Sequence, residues 1–328
     1  MTLNLNQLRG VNPVYTKFAQ GYVPTGNPVA DFIAPAVKVP TRAGNIVTFG
    51  KESFAIENTK RAPGSTIQRI SPEYSFKEYS VQQDALAATV YAEHLQETSA
   101  VNMQGLEIAA VRQVLDKLEL GREKAVLDLV KNPANYESTC TGSGSKKWGA
   151  VDSDPLADIL KAKNAVRAQI GAMPNSMVVS PKVYNALISH AKIQAHYSPT
   201  TSDVLDDSMI ARYFRLSRGL RVAERVQLDR STGKMLDLLD EEAILFYAPP
   251  AASAGTLSGA GNPFSRFDMS FAYQYVLDGY PSVANFEFER NTQSWVAPVI
   301  YENTPVISGV GATGKAGGGF LFTNLLTP

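Results

Sequence analysis

Four prolines, Pro13, Pro24, Pro28 and Pro35, divide the first 36 residues so finely that no helix is expected to propagate through them. The same stretch stays apolar, with Val11, Val14, Tyr15, Phe18, Tyr22, Phe32 and Ile33. A flexible polar tail would lack such anchors. The expectation is an extended arm, without helical or strand periodicity, that becomes ordered only against other protein.

Residues 45–81 strengthen that constraint. Asn45-Ile-Val-Thr-Phe49 continuing to Phe54-Ala-Ile56, and Thr66-Ile-Gln-Arg-Ile70 continuing to Tyr74–Val81, read as two long strands. Turn chemistry separates them at Asn58-Thr-Lys-Arg-Ala-Pro-Gly-Ser65. Apolar parity flips between Tyr74/Phe76 and Tyr79/Val81, which predicts a bulge or bend. A strand of about twelve residues reaches about 40 Å, and a two-stranded ribbon is marginal alone in water. It must lie on its own body or on a neighbour.

Charge follows the same division. Residues 1–80 carry nine basic and five acidic side chains in a chain of zero net charge, so the remainder is −4. This is either scatter over solvated faces or a sign that the first quarter of one molecule lies on the remainder of another. Neutrality excludes strong whole-chain attraction to DNA or an anionic membrane. Charged residues are only 19% against the usual ~25%, which suits a surface that meets other protein. At 328 residues with 44% hydrophobic, the chain can bury about two domains. The single cysteine, Cys140, forbids an internal disulfide or a thiolate metal cluster. No signal peptide and no run of ~18 apolar residues is present, so a soluble chain made in the cytosol is expected.

The longest helical pattern spans 95–131, with an apolar stripe at Ile108, Val111, Leu115, Leu118, Ala125 and Leu129 and a stop at Asn132-Pro133. It would reach about 55 Å, a structural spine. A loop is expected at Thr139–Ser145. Asp154-Pro155 and Ser180-Pro181 then each supply an N-cap followed by proline at the first helical position. The second helix should run towards His196. A strand at Met177–Ser180, a helix at Ser208–Arg218, a strand at Arg221–Leu228 and a buried strand at Ala243–Ala248 complete an α/β alternation over 150–250. Pro249–Pro263 is a loop, and aromatic strands follow through Trp295–Tyr301.

Chemistry is sparse. Gly309-Val-Gly-Ala-Thr-Gly314 fits a dinucleotide-loop pattern, but Ala316 replaces the Ser or Thr of a P-loop and Ala316-Gly-Gly-Gly319 cannot open the required helix. A glycine-rich turn is the stronger reading. His94, His190 and His196 have no partner at metal-ligand spacing, and His190 sits at the edge of an apolar helical face. Cys140 has nothing beside it to lower its pKa. The acidic knots Asp203/Asp206/Asp207 and Asp237/Asp240/Glu241/Glu242 lack the spacing of a calcium loop. No basic stripe interleaved with aromatics points to sequence-specific nucleic-acid reading. The expectation is a non-enzyme with no catalytic residue, cofactor or metal.

The order of features resembles the tailed-bacteriophage major capsid proteins of the Johnson (HK-type) fold. Gly26–Val37 followed by Gly44–Phe49 is similar to that family's lead into its extended loop. Trp148–Pro155, Met173–Ser180 and His190-Ala-Lys-Ile193 are similar to the lead into its axial domain. The resemblance implies an α+β fold comprising an N-terminal arm (1–40), an extended β-ribbon loop (41–90), a peripheral domain with the spine helix (91–149), an α/β axial domain (150–270) and a strand-rich return to the peripheral domain (271–328). It implies a virion protein, synthesised in the host cytoplasm, forming pentamers and hexamers of an icosahedral shell around double-stranded DNA that it contacts non-specifically. The expected partners are a portal, a decoration or cement protein, a scaffold and a maturation protease, the last two expected as separate proteins because the chain opens directly on its arm; no membrane is implied. Some relatives form a Lys–Asn isopeptide bond. Lys51 and Lys60 lie in the loop without a matched partner, so non-covalent interlocking is expected instead. Strand addition by arm and ribbon would join charge pairing, with intersubunit contacts at Lys51, Lys60, Arg61, Arg69, Phe54, Ile56, Tyr15 and Phe18. An encapsulin-like nanocompartment shell is the nearest alternative. An α/β enzyme with a site near Cys140 or His190, or a tail-tube protein, carries less weight.

Overall fold

Proline can start a helix as well as stop one, and the arm uses Pro13 in the first way. The structure, a computed structural model, describes residues 10–24, 26, 28–49, 56, 60, 69, 74–93, 103–144, 147–150, 152–197, 205–249, 270–308 and 315–326. Helix α1 (Pro13–Gln20) opens on Asn12, whose side chain accepts from the amides of Val14 (3.0 Å) and Tyr15 (3.3 Å). At that position proline has no amide to lose and its fixed φ suits the helix. The expectation of an arm without helix is therefore corrected for 13–20, and α2 (Ala30–Ile33) adds one turn before strand β1 (Ala36–Val39).

Strands β2 (Ala43–Phe49) and β3 (Tyr74–Ser80) form the ribbon, antiparallel, with Ala43 opposite Ser80 and Phe49 opposite Tyr74. The strand readings at Phe54-Ala-Ile56 and Thr66–Ile70 fall largely outside the described residues. At Val81, whose amide donates to the Arg42 carbonyl (2.7 Å), the chain leaves the ribbon and enters β4 (Gln82–Tyr91) in another sheet. The register from Ala43–Ser80 to Phe49–Tyr74 is unbroken, so the bulge expected between Phe76 and Tyr79 is absent, and the chain changes sheet only at Val81.

Helix α3 (Met103–Lys131) is the spine, about 43 Å long at ~1.5 Å per residue. It ends where Asn132 caps a 3-10 turn at Pro133–Asn135. Its buried face differs from the expected stripe: Ile108 and Ala125 are exposed, while Val111, Leu115, Leu118, Arg122, Val126 and Val130 face inward. A step of four from Leu118 leads to Arg122, and a step of seven to Ala125 leaves the face.

Thr139–Thr141 is a strand, β5, and no loop begins there. Helix α4 (Pro155–Ile170) starts on Asp154, whose carboxylate accepts from Ala157 (3.1 Å), and ends on Gly171 at φ +69°, where glycine is favoured. Strand β6 (Ser176–Val179) leads into α5 (Pro181–Ser189), capped by Ser180. The single helix expected to reach His196 is two, because His190 adopts extended backbone before α6 (Ala191–Tyr197). Helix α7 (Asp207–Tyr213) stops short of Arg218 because Arg215 stands at φ +53°. The strand expected over 221–228 divides into β7 (Gly219–Val222) and β8 (Val226–Leu228), and β8 pairs with β9 (Met235–Asp237). The chain closes with β10 (Ala243–Phe246), β11 (Ala272–Leu277), β12 (Ser282–Val283), β13 (Glu287–Glu289), β14 (Ser294–Ile307) and β15 (Gly319–Thr323). The glycine pattern at 309–314 and most of the 249–263 loop lie outside the described residues.

Two sheets organise the body. One runs β5-β15-β10-β6-β7, with β10 buried throughout and α4 and α5 contributing Ile159, Val166, Val183 and Leu187 to its core. The other is built on β14. Strand β4 pairs along one edge from Ser294–Tyr91 to Asn303–Gln82, and β11, β12 and β13 share the opposite edge in turn. Strand β1 extends this sheet beside β11 in parallel. The spine packs across it through Val111, Leu115 and Leu118. Gly319 fits only as glycine: a Cβ there would stand 2.4 Å from the buried Phe271 ring.

Candidate assembly surfaces

An assembling subunit must present strand edges and arms that its own body does not satisfy, while holding their roots rigid. The ribbon root is held by burial: Tyr79 stacks on Tyr275 at 4.9 Å, and Val37, Val39, Val81 and Tyr273 close around them. The Lys77 ammonium donates to the Ile307 carbonyl (3.2 Å), and burial pushes its pKa down. Arg42 forks onto Glu302, Nε to Oε2 at 2.9 Å and Nη2 to Oε1; Glu302 is 1% exposed. Beyond this root the ribbon pairs with no third strand among the described residues.

Of the expected contact residues, Ile56 is fully exposed, and Lys60 and Arg69 are exposed in the same stretch. Lys51, Phe54 and Arg61 lie outside the described residues. Tyr15 and Phe18 are half-buried on the chain's own body. Tyr15 meets Phe286 edge-on at 5.7 Å and hydrogen-bonds Glu107; burial, and then Glu107, push its hydroxyl up to about 12. Phe18 packs beside Tyr22, whose hydroxyl donates to Asp116 at 2.6 Å. The arm is pinned further along by Asn12 N to the Val283 carbonyl (2.9 Å) and by the bridge Val11–Ala284.

The edge of β4 away from β14 carries no strand among the described residues, and Leu86 and Tyr91 on it are exposed. Exposed apolar residues also gather on one face of the β8–β9 hairpin, where Val226 and Leu228 stand beside Met235.

Where arm, spine and sheet meet, a buried polar hub forms that no local sequence pattern announces. Arg122 clasps Asp31 with both terminal nitrogens (2.9 and 3.0 Å), reaches Gln274 Oε1 at 3.0 Å and lies 2.8 Å from Glu119 through Nε. Glu123 accepts from the Val29 amide at 3.0 Å and faces Arg225 at 3.1 Å. Burial opposes the charge on Arg122, but Tyr301, Asp31 and Glu119 outweigh it and push its pKa up. Burial pushes the Glu119 and Glu123 carboxyls up, although each faces an arginine. The hub ties the arm's short helix to the spine, to β11 and to the chain leaving β7.

The remaining titratable groups have structural surroundings. His190 Nε2 lies 3.0 Å from Ser153 Oγ in the core, and its Nδ1 is buried without a hydrogen-bond partner. His196 packs edge-on to Tyr197 and Tyr213, and half-buried Cys140 lines the five-stranded sheet's core. His94 and Asp203 lie outside the described residues. Among those described, no cluster of His, Cys, Asp or Glu could hold a metal, and no helix is long and apolar enough to cross a membrane.

Comparison with known proteins places this geometry. The family described as phage major capsid protein E matches residues 89–260. The major capsid protein of Burkholderia phage BcepMu is 28% identical over 282 residues, 85% of this chain and 87% of that one. A phage-related protein of Bordetella bronchiseptica, solved by crystallography, is 29% identical and superimposes with a TM-score of 0.77, covering 98% of this chain and 99% of its own. The SrpI encapsulin of Synechococcus elongatus shares the fold at 12% identity and TM-score 0.51, covering 99% and 92% of the two chains.

Proposed function

This chain belongs to the phage major capsid protein E family and is a phage major capsid protein with the HK-type fold, a component of the virion, and from that premise we propose how its copies interlock. They form pentamers and hexamers of an icosahedral shell around double-stranded DNA, joined without covalent bonds. The ribbon of one subunit lies on its neighbour, and its basic set (Lys51, Lys60, Arg61 and Arg69) meets the acidic remainder of that neighbour. Phe54, Ile56, Tyr15 and Phe18 supply apolar anchors, and the open edge of β4 is a natural acceptor for an added strand.

The observation that carries this reading is a ribbon with a rigid root and no third strand among the described residues. Tyr79 and Lys77 fix β3 to the body, while Ile56 stands in full contact with solvent. An isolated pair of strands is marginal in water, so a neighbour's surface supplies what the body does not. Domain by domain, we assign 1–40 to the arm, 41–90 to the extended loop, 91–149 and 271–328 to the peripheral domain and 150–270 to the axial domain. Strands β5 and β15 reach into the axial sheet from the peripheral segments. The chain is synthesised in the host cytoplasm, and its further partners are a scaffold, a portal, a decoration protein and a maturation protease.

Charge reversal tests the pairing. Lys60→Glu with Arg61→Glu should lower the urea concentration at which purified particles dissociate and leave the unassembled chain's own unfolding unchanged. Particles of unaltered stability would remove the electrostatic part, and a covalent ladder on a denaturing gel would remove the non-covalent part. Particles that enclose protein and no nucleic acid would favour a nanocompartment shell.

A further inference from the structure

The chain is neutral as a whole, yet residues 208–223 hold four arginines, Arg212, Arg215, Arg218 and Arg221, and no carboxylate. None of the four forms an ion pair among the described residues. Their arrangement is built. Arg215 stands at φ +53°, a left-handed conformation that costs energy for a side-chain-bearing residue. What holds it there is Lys163 of α4. This lysine is 6% exposed, and its ammonium donates to the Phe214 carbonyl at 2.6 Å and the Arg215 carbonyl at 2.8 Å.

Next along the chain, Arg218 and Arg221 lie over the same ring, Phe32, with guanidinium carbons 4.4 and 5.2 Å from its centroid. Arg218 also donates to the Phe32 carbonyl at 2.6 Å, so it is largely committed to the fold. Arg215 and Arg221 remain exposed, the latter on β7, the edge strand of its sheet. The charges crowd one another. Burial and then Arg215 push Lys163 down, and burial and then Arg221 push Arg218 down. An anion at this surface would relieve that repulsion.

The chemistry of the surface narrows the anion. Between Ser208 and Ala223 no large apolar side chain is exposed, whereas protein interfaces are built around an apolar centre. Guanidinium groups held against an aromatic ring present planar forks that match phosphate oxygens. We propose that the turn at Arg215 and the β7 edge at Arg221, shaped by Lys163 and Arg218, dock the phosphodiester backbone of double-stranded DNA without regard to its sequence. This rests on the reading of the chain as a shell protein around DNA, and it assigns the β7 face to the inside of the shell.

The test uses the full-length chain before assembly and a short fluorescent DNA duplex, with affinity measured by anisotropy as sodium chloride is raised. The variant is Arg215→Gly with Arg221→Gln, since glycine accepts the left-handed turn without strain. Every phosphate that is no longer neutralised should reduce the slope of log affinity against log salt by about 0.9, so the double variant should lose about 1.8 and bind roughly tenfold or more weaker at low salt. Arg221→Gln alone should lose about half of that slope. Arg230→Gln with Lys234→Gln, exposed bases elsewhere, should leave it unchanged. An unaltered slope in the Arg215/Arg221 variant overturns the proposal. A variant that binds DNA normally but no longer assembles also overturns it, by giving these arginines to an acidic surface of another copy. Wild-type chain that assembles without binding duplex refutes the proposal and leaves the capsid reading intact. Wild-type chain that never forms particles refutes the capsid reading.

Discussion

Replacing Arg122 by methionine removes the charge at the centre of the hub and keeps most of the aliphatic stem. Three acceptors lose their donor. Asp31 is 54% exposed and rehydrates at little cost. Glu119, at 16%, is left as a nearly buried carboxylate without its arginine, and Gln274 Oε1 becomes a buried acceptor with nothing to accept. Breaking a buried ion pair from one side costs about 3–5 kcal/mol. The exposure of Asp31 brings the expected deficit towards the lower end, about 3 kcal/mol, read by urea unfolding of the unassembled chain. Because burial already pushes the Glu119 carboxyl up and removing Arg122 pushes it further, the variant's carboxyl takes up a proton more readily folded than unfolded. The deficit should therefore be largest near neutral pH and shrink as pH falls towards that raised value. Adding Glu119→Leu should restore most of the stability at neutral pH. A deficit under about 1 kcal/mol, or one that grows on acidification, would refute the claim that the hub holds arm, spine and sheet together.

Three further outcomes follow from local geometry. Gly319→Ala forces a methyl into the Phe271 ring, and overpacking of this kind should cost about 1–3 kcal/mol in unfolding free energy. His190 has its pKa held below 6.5 by burial first and by Lys192 second, against the opposing pull of Asp154, so the unfolded chain protonates before the folded one. Stability should be steady above pH 6.5 and fall as pH drops through the depressed value, and His190→Asn should flatten that segment of the stability–pH curve. Tyr79→Ala removes the stacked anchor of the ribbon root; about 3 kcal/mol of stability should go with it, and particle yield should fall at matched protein concentration.

The legible parts of this fold are those written in neighbouring residues. Asp154-Pro155 and Ser180-Pro181 announce two helices and Asn132-Pro133 the end of the spine, and each of the three cap residues accepts from the backbone as its side chain dictates. Asn12-Pro13 uses the same device, but four prolines in one segment mask it when each is taken only as a breaker. The hub is hidden for a related reason: Arg122 occupies an inward position of the spine, and a strictly apolar stripe steps past it. Its partners Asp31, Gln274 and Tyr301 are also far away along the chain. Pairings such as Leu321 with Thr139, or Arg42 with Glu302, depend on distant segments that no local pattern links. The three residues of β5 become a strand only because β15 lies beside them. Single residues set two of the helix limits, His190 by its extended backbone and Arg215 by its left-handed turn.

Electron microscopy of the purified full-length chain in negative stain tests the central claim most directly. The account predicts closed shells built of many copies, whose ribbons cross from one subunit to the next. A field of separate 35.5 kDa particles, folded and stable at concentrations where capsid proteins assemble, would contradict it.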